Sequence, residues 1–441
     1  MSGSIVWLRH DLRIADNPAL LEASRAGWVL PVFVVDDEVA LWGAAFRWRV
    51  AQALSALEAG LRARGSGLVV VYGAAEQVLA DLARATGAGA VHVSHDAPDL
   101  GLPVLRHAPN ALVPRGSVLT GQGTPYRVFT PFWKAMRQAD IAAPAAAPDR
   151  LDPPPAWPES QGVARLARGM DRGAAVVAGA TKPGEDAAMA RLRAFLKRLP
   201  AYPTDRDRPD RDATSGLSDA LATGEIGARQ IWAAGQRAIY DGVAGADKFL
   251  SELAWREFGR ELLHHWPDLP RQNFAQGWDD FPWRGDSADA EAWRRALTGV
   301  DLVDAGMREL YATGTMHNRV RMVVASYLTK HLLTDWRVGL DWFAQTLTDW
   351  DAASNAMNWQ WVAGCGPDAA PFFRIFNPLT QQQKFDPQAR YTRYWLEGEG
   401  DALFRAAIPR SWQIPTMRPE PLIALDQGRK RALAAYQKMR G

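Results

Sequence analysis

Four short apolar runs separated by helix-periodic stretches fill the first hundred residues, and this alternation limits the possible folds more than any other feature. The runs are SIVWLR at 4–9, WVLPVFVVD at 28–36, GLVVVYG at 67–73 and GAVHVS at 89–94. Between them lie ALLEASRAG after a turn-like DNP at 16–18, apolar groups at helical spacing over 45–64 that stop at Gly65, and a helix-like 75–86. A strand buried on both faces reads as a continuous apolar run, and strands joined by helices pair in parallel. The expectation is an α/β, Rossmann-like domain with a parallel sheet over residues 1–130. No GxGxxG loop follows the first run, so dinucleotide binding by this half has no support.

The pattern then changes. IAAPAAAPDRLDPPPAWPES at 141–160 has no periodicity and reads as linker laid over the surface, within an interdomain segment expected over 131–184. From residue 185 to 441 the spacing is helical, in stretches such as KFLSELAWREFGRELLHHW and VRMVVASYLTKHLL. A mostly α-helical second domain is expected there, and 441 residues are too many for one typical domain. The net charge is only +2, so a nucleic-acid binder of this composition must gather its basic residues on one face. The one cysteine, Cys365, excludes a disulfide framework, fits a reducing cytoplasm and reads as a small buried apolar group. No apolar run reaches membrane-spanning length, and no basic-then-apolar leader is seen. The expectation is a cytoplasmic monomer without a membrane partner.

Chemistry concentrates in four places. Residues 349–385 crowd Asp349, Asp351 and Asn355 beside Trp359 and Trp361, with Arg374 and Lys384 beyond, which suits either a polar-lined pocket wall or an irregular core segment. TSGLS at 214–218 sets hydroxyls and a glycine before a helix beginning near Asp219; this makes an anion site, although a plain N-cap role accounts for Ser218 equally. In FLSELAWREF, Glu252, Trp255 and Arg256 share one helical face, as a lesser surface pair with a core tryptophan would. In TGTMHNRVRM, Asn318, Arg319 and Met322 lie together on a helix. The 19 tryptophans suit an aromatic core or a set of redox and stacking groups.

The run NWQWVAGCGPDAAPFFRIFNP resembles the flavin-binding signature of the DNA photolyase/cryptochrome family. The similarity covers nearly the whole chain, including VWLRHDLRIADNPAL, TSGLS, ELAWREF and TGTMHNRVRM in the family's order. It is nearest the bacterial branch that repairs cyclobutane pyrimidine dimers. The resemblance implies a carbon–carbon lyase acting on UV-damaged DNA, in which light-excited reduced FAD gives an electron to a flipped-out dimer. It implies flavin contacts from Tyr202, Thr214, Ser215, Gly216, Leu217, Ser218, Phe249, Glu252, Arg256, Asn318, Arg321, Asp349, Asp351 and Asn355. Arg321 is expected to pair with Asp349 across the flavin, and Asn355 to face flavin N5. Glu252, Trp255, Asn318, Met322 and Trp361 are implied as the dimer pocket, Glu252 by a hydrogen bond to the damaged base. Trp359, Trp336 and Trp283 match the tryptophans that relay electrons to oxidised flavin. Arg206, Arg256, Arg319, Arg374, Gln381 and Lys384 match contacts to the DNA backbone, which would make binding salt-sensitive.

Departures from the pattern matter too. Phe249 and Thr315 stand where relatives often have tryptophan. Asn318 and Met322 replace the histidines of relatives that repair the (6-4) photoproduct, so that alternative is disfavoured, and His317 is read as structural. The lone cysteine excludes the four-cysteine iron–sulfur cluster of one branch, so no metal is expected. The amino-terminal domain of the family can hold an antenna chromophore. Here the glutamate of folate-binding relatives has no counterpart near Ala97, Pro98 and Asp99, which argues against folate, and no antenna residue is assigned. A cryptochrome-type photoreceptor is the rival reading; the intact dimer-pocket set and the short segment after the last family-like helix count against it.

Overall fold

Strands Gly3–Leu8 (β1), Val29–Val35 (β2), Val69–Tyr72 (β3), Ala88–Val93 (β4) and Val104–Arg106 (β5) form one parallel sheet in the order β3-β2-β1-β4-β5. The structure, a computed structural model, describes residues 3–170, 172–368 and 373–440, so four residues of the flavin-like signature, 369–372, lie outside it. Every residue of β1 and β2 is buried, as continuous apolar runs require of central strands. The helices Pro18–Ala26, Ala44–Arg62 and Ala75–Thr86 connect the strands. Asn17 starts the first of them, its side chain accepting from the Leu20 amide at 3.1 Å, with proline at the first helical position. β5 has no counterpart among the expected strands. It is a three-residue edge strand with no buried residue, so it leaves no apolar run to read.

Residues 141–160 have no helix or strand, as expected, yet they are pinned to the sheet domain. Leu151 N donates to Arg64 O at 2.9 Å, Val29 N donates to Asp152 O at 2.9 Å, and the Leu151 side chain is buried in the sheet's core. The expected linker, 131–184, contains the helix Gly173–Ala180 and most of the helix Phe129–Met136. Leu112, Val113, Val118, Phe129, Phe132 and Met136 pack with the helical half, so the chain changes packing partners before residue 130.

The two halves meet at a buried seam. Arg49, in the Ala44–Arg62 helix and fully buried, bonds to Asp219 at 3.2 Å and to Glu225. Arg13 donates to the Gly224 carbonyl at 3.1 Å, and Leu12 N to Thr223 O at 3.3 Å. Gly224 has φ +84° and sits so close that an added Cβ would lie 2.0 Å from His10 O; only glycine fits. The segment after TSGLS is thus held by the sheet domain.

Candidate functional site

The helices Tyr202–Asp205, Ala246–His265, Asn318–Ser326 and Ala352–Ala363 carry about half of the expected site residues. Ala246–His265 packs against both Tyr202–Asp205 and Ala352–Ala363, and Asn318–Ser326 packs against Ala352–Ala363. The residues from 202, 249–256, 318–322 and 349–355 are therefore gathered around shared space.

Asp349 is buried, and only one of its carboxylate oxygens is used: Oδ2 accepts from Arg321 Nη2 at 2.7 Å, while Oδ1 has no partner among the described residues. Arg321 is fixed in turn by its Nε, which donates to Met316 O at 2.7 Å. The expected Arg321–Asp349 pair is therefore present. Asn355 donates its amide N–H to Leu340 O at 3.1 Å, which leaves its carbonyl oxygen as the group free to accept. Asp351 caps the Ala352–Ala363 helix, accepting from Ser354 N at 2.8 Å, and the Arg260 and Arg256 charges hold its carboxyl below the usual range despite burial. Buried polar atoms are normally satisfied, so an orphaned carboxylate oxygen beside an oriented amide marks a place for a ligand with N–H or O–H groups. A flavin dinucleotide fits that donor requirement.

TSGLS differs from expectation in one respect. The helix is Ser218–Thr223 and its N-cap is Leu217, with no side-chain cap, so Ser218 is the first helical residue and not the cap. Among the described residues no hydrogen bond ties up the hydroxyls of Thr214, Ser215 or Ser218, and Gly216 turns the chain at φ +61° while its carbonyl accepts from Arg191 Nη1 at 2.6 Å. Tyr202 and Phe249 pack together with Phe195, ring centroids 4.8–6.0 Å apart, in a buried aromatic group.

Glu252 lies between two cations, Lys248 at 2.6 Å and the Arg206 guanidinium. Arg256 does not join it. Expected at the flavin and in the DNA groove, Arg256 instead donates to the Asn110 carbonyl at 3.0 Å and to Glu257 at 2.9 Å, and its side chain is only 12% exposed. Burial and the Arg260 charge push it down to about 10. The i,i+4 spacing puts its Cβ on Glu252's face, but the long side chain follows the nearer carbonyl and carboxylate at the domain seam. Trp255 stacks on Phe129 with centroids 3.7 Å apart and planes 9° from parallel, so one ring face is taken and one is left. Trp361 donates from Nε1 to Asp368 O at 3.0 Å, and the Arg374 guanidinium lies 5.6 Å from its ring centroid. Asp368 Oδ1 also accepts from Phe129 N at 3.2 Å, which links the two tryptophans through one loop. Asn318 is exposed and Met322 half-buried at the start of their helix, which His317 caps by accepting from Arg319 N at 3.2 Å.

Of the relay tryptophans, Trp359 and Trp336 are buried and Trp283 is partly exposed. Arg284 N donates to Leu333 O at 2.7 Å and Asp335 N to Arg284 O at 2.8 Å, so the residue after Trp283 is strapped to the start of Trp336's helix. Trp336 donates to Asn273 at 2.9 Å; Trp359 Nε1 has no partner. Among the expected phosphate contacts, Arg206 holds Glu252, Arg319 donates to Asp207 at 2.7 Å, Lys384 and Arg374 are exposed, and Gln381 is half-buried with an unpartnered Oε1. Cys365 is buried and its thiol is pushed up to about 12, in keeping with a packing role.

Lys248 and Asp207 were not singled out in the sequence, though both signals were there: Lys248 stands four residues before Glu252, and Asp207 sits in the mixed-charge run TDRDRPDRD. A second group of unpartnered buried polar atoms lies where β1 and β4 end: Trp7 Nε1, Ser94 Oγ and both ring nitrogens of His95.

Comparison with known proteins places the chain among photolyases and cryptochromes. Residues 4–152 match the family described as DNA photolyase, and residues 249–438 match the FAD binding domain of DNA photolyase. A deoxyribodipyrimidine photo-lyase of Agrobacterium fabrum is 40% identical, the match covering 98% of this chain and 97% of that one. A deoxyribodipyrimidine photo-lyase of Thermus thermophilus is 36% identical, with 98% of each covered. The solved structure of a bacterial class III photolyase from Agrobacterium tumefaciens superposes with TM-score 0.91 at 39% identity, covering 100% of this chain and 98% of that one. A Synechocystis cryptochrome superposes with TM-score 0.85 at 27% identity, with 99% of both chains covered.

Proposed function

The chain belongs to the DNA photolyase/cryptochrome family, and from that premise we propose that it is an FAD-dependent deoxyribodipyrimidine photo-lyase that repairs cyclobutane pyrimidine dimers in UV-damaged DNA. The observation that carries the reading is the buried Asp349 carboxylate, one oxygen held by Arg321 and the other unpartnered among the described residues. Bound FAD, reduced and excited by blue light, supplies the electron that opens the cyclobutane ring and takes it back afterwards. The chain's own residues do the rest. Asp349 accepts from the flavin's polar hydrogens, and Asn355 accepts at a ring N–H. The free hydroxyls of Thr214, Ser215 and Ser218 and the turn at Gly216 suit the phosphates. Phe249 and Tyr202 form an apolar wall.

On the substrate side, Glu252 accepts from the flipped base, the free face of Trp255 stacks against it, and Asn318, Met322 and Trp361 complete the pocket. Arg206, Arg319, Arg374, Gln381 and Lys384 face the backbone, and Arg256 serves the domain seam. Trp283, Trp336 and Trp359 serve reduction of the oxidised cofactor and not the repair step. An antenna fits best at the carboxyl ends of β1 and β4, the strand-order switch of the sheet, where Trp7, Ser94 and His95 leave polar atoms unpaired. Denaturing the purified protein tests both cofactors: FAD must be released, and a second chromophore supports the antenna site. Blue-light exposure with a dimer-containing oligonucleotide tests the activity. Restored thymines support repair. Photoreduction of FAD without repair favours the cryptochrome reading, which the Synechocystis likeness keeps as second choice.

A further inference from the structure

Two of the expected phosphate contacts, Arg206 and Arg319, are already bound to carboxylates in the free protein, and Lys248 joins them. Lys248 and Arg206 share Glu252, Lys248 at 2.6 Å, and Arg319 Nη2 donates to Asp207 Oδ2 at 2.7 Å. Arg206 and Asp207 are chain neighbours, and the Asp207 charge reaches the Arg206 guanidinium. The charges therefore alternate in space: Lys248, Glu252, Arg206, Asp207, Arg319. The row ends over Phe385, whose ring centroid lies 4.4 Å from the Arg319 guanidinium and 5.1 Å from Lys384. Side-chain exposures of 15% for Arg206, 25% for Glu252, 17% for Arg319 and 33% for Asp207 place these pairs between the surface and the core. Such pairs are strong enough to hold a partner and exposed enough to exchange it. His317, whose ring feels both Asp207 and Arg319, is pushed down to about 4 by burial and adds no charge.

We propose that this row is an ion-pair hand-over that makes Asp207 a specificity-determining residue. A lesion that occupies Glu252 releases Arg206; Arg206 takes Asp207; Arg319 is freed for phosphate. On undamaged duplex no base enters, Glu252 keeps Arg206 and Asp207 keeps Arg319. Phosphate must then compete with a carboxylate already bonded to Arg319. The extra cation becomes available only in the complex where the lesion has flipped. Coupling is reciprocal, so phosphate on Arg319 also favours Arg206 on Asp207 and opens Glu252 to the base. The proposal rests on the reading of Glu252 as the lesion contact.

The test measures binding of the FAD-loaded protein to undamaged and dimer-containing duplexes across a salt series. Asp207→Asn should bind undamaged duplex roughly three- to tenfold tighter than the parent protein, with a salt slope steeper by about one ion. Its affinity for dimer-containing duplex should change less than about twofold, because there the hand-over has already freed Arg319. Glu252→Gln should also raise affinity for undamaged duplex, because Arg206 released from position 252 takes Asp207 and so frees Arg319. Equal gains on both duplexes, or unchanged binding to undamaged duplex, would each overturn the hand-over. The two variants read it from opposite ends, so misfolding of one leaves the other decisive. Blue-light repair by the parent protein is measured alongside. Absence of repair removes the reading of Glu252, whereas repair with undiminished discrimination in Asp207→Asn removes only the hand-over.

Discussion

Glu309 joins protonation to the helix that carries Asn318 and Met322. Its Oε2 accepts from the Tyr391 hydroxyl at 2.6 Å and from the His317 amide at 3.2 Å, and burial pushes the carboxyl up to about 7 against the pull of Arg321. Between an ordinary pKa of about 4.5 and this value, the folded protein holds a proton that the unfolded chain has released. Its contribution to stability is therefore complete below about pH 4.5 and lost as pH rises through 7. Glu309→Gln keeps an acceptor for Tyr391 and has no such proton to lose. It should melt with the parent protein at pH 4 and above it at pH 8, and a constant offset across a pH series of melts would show that Glu309 is not the titrating group. Two other residues separate repair from relay. Trp283→Phe keeps the aromatic volume but removes the oxidisable indole, so photoreduction of oxidised FAD should slow while repair by chemically reduced protein stays near normal. Glu252→Ala should leave photoreduction intact and lower repair yield; a hydrogen bond to a charged group is worth roughly 1.5–3 kcal/mol, so the loss is measurable and partial. Identical defects in the two variants would mean that neither has its assigned role.

Two helices meet where Trp359 needs room. The Trp336–Thr346 and Ala352–Ala363 helices approach at Gly339, and a Cβ built there would stand 2.1 Å from Trp359 Cη2. The glycine lets the indole lie against the backbone one turn from Trp336, with the Phe343 ring of the same helix at 5.0 Å. Gly339→Ala must move the indole or part the helices, at a cost of roughly 1–3 kcal/mol for overpacking. Photoreduction should slow more than that loss of stability alone would cause, which a comparison of melting and flavin reduction rates with those of Trp283→Phe would show. Unchanged rates and melting would mean that the pair has slack. At this scale the sequence was readable where a pattern was local. The apolar runs became β1 to β4 and the helices began and ended near their caps, because period and capping involve residues within one turn. The Ser218–Thr223 helix starts one residue before the expected start near Asp219, and the sequence left open whether Ser218 caps it, since a hydroxyl at a helix start looks the same whether it caps or stands free. Gly339 carried no signal, because its reason lies on another helix.

The largest blind spot belongs to the whole molecule. Two halves and their order were legible, since each half is written in contiguous residues. The seam was not. Arg49 lies 170 residues from Asp219 and 176 from Glu225, and an arginine in the amphipathic Ala44–Arg62 helix, two residues from Arg47, reads as a surface group. In the structure it is fully buried and holds both carboxylates. Asp219 has a second cation in Arg191 at 2.8 Å, whereas Glu225 otherwise accepts only from neutral donors, the Thr223 hydroxyl at 2.7 Å and the Gly184 amide. Arg49→Ala would therefore leave Glu225 charged and without a cation, and breaking a buried pair from one side costs about 3–5 kcal/mol. Because Asp219 directly follows Ser218, the damage should spread to the hydroxyl loop, and the variant should retain less FAD as well as melt earlier. Replacing the set together, Arg49→Met with Asp219→Asn and Glu225→Gln, removes the stranded charges and should recover most of the melting temperature, since neutral replacements of buried ion pairs are often tolerated. Flavin content then separates two roles. If the neutral set restores both stability and FAD, the seam acts by satisfying charge alone. If it restores stability but not FAD, the arginine's geometry is what holds the phosphate loop against the sheet domain. An Arg49→Ala protein that melts and binds FAD like its parent would show that the seam carries neither role.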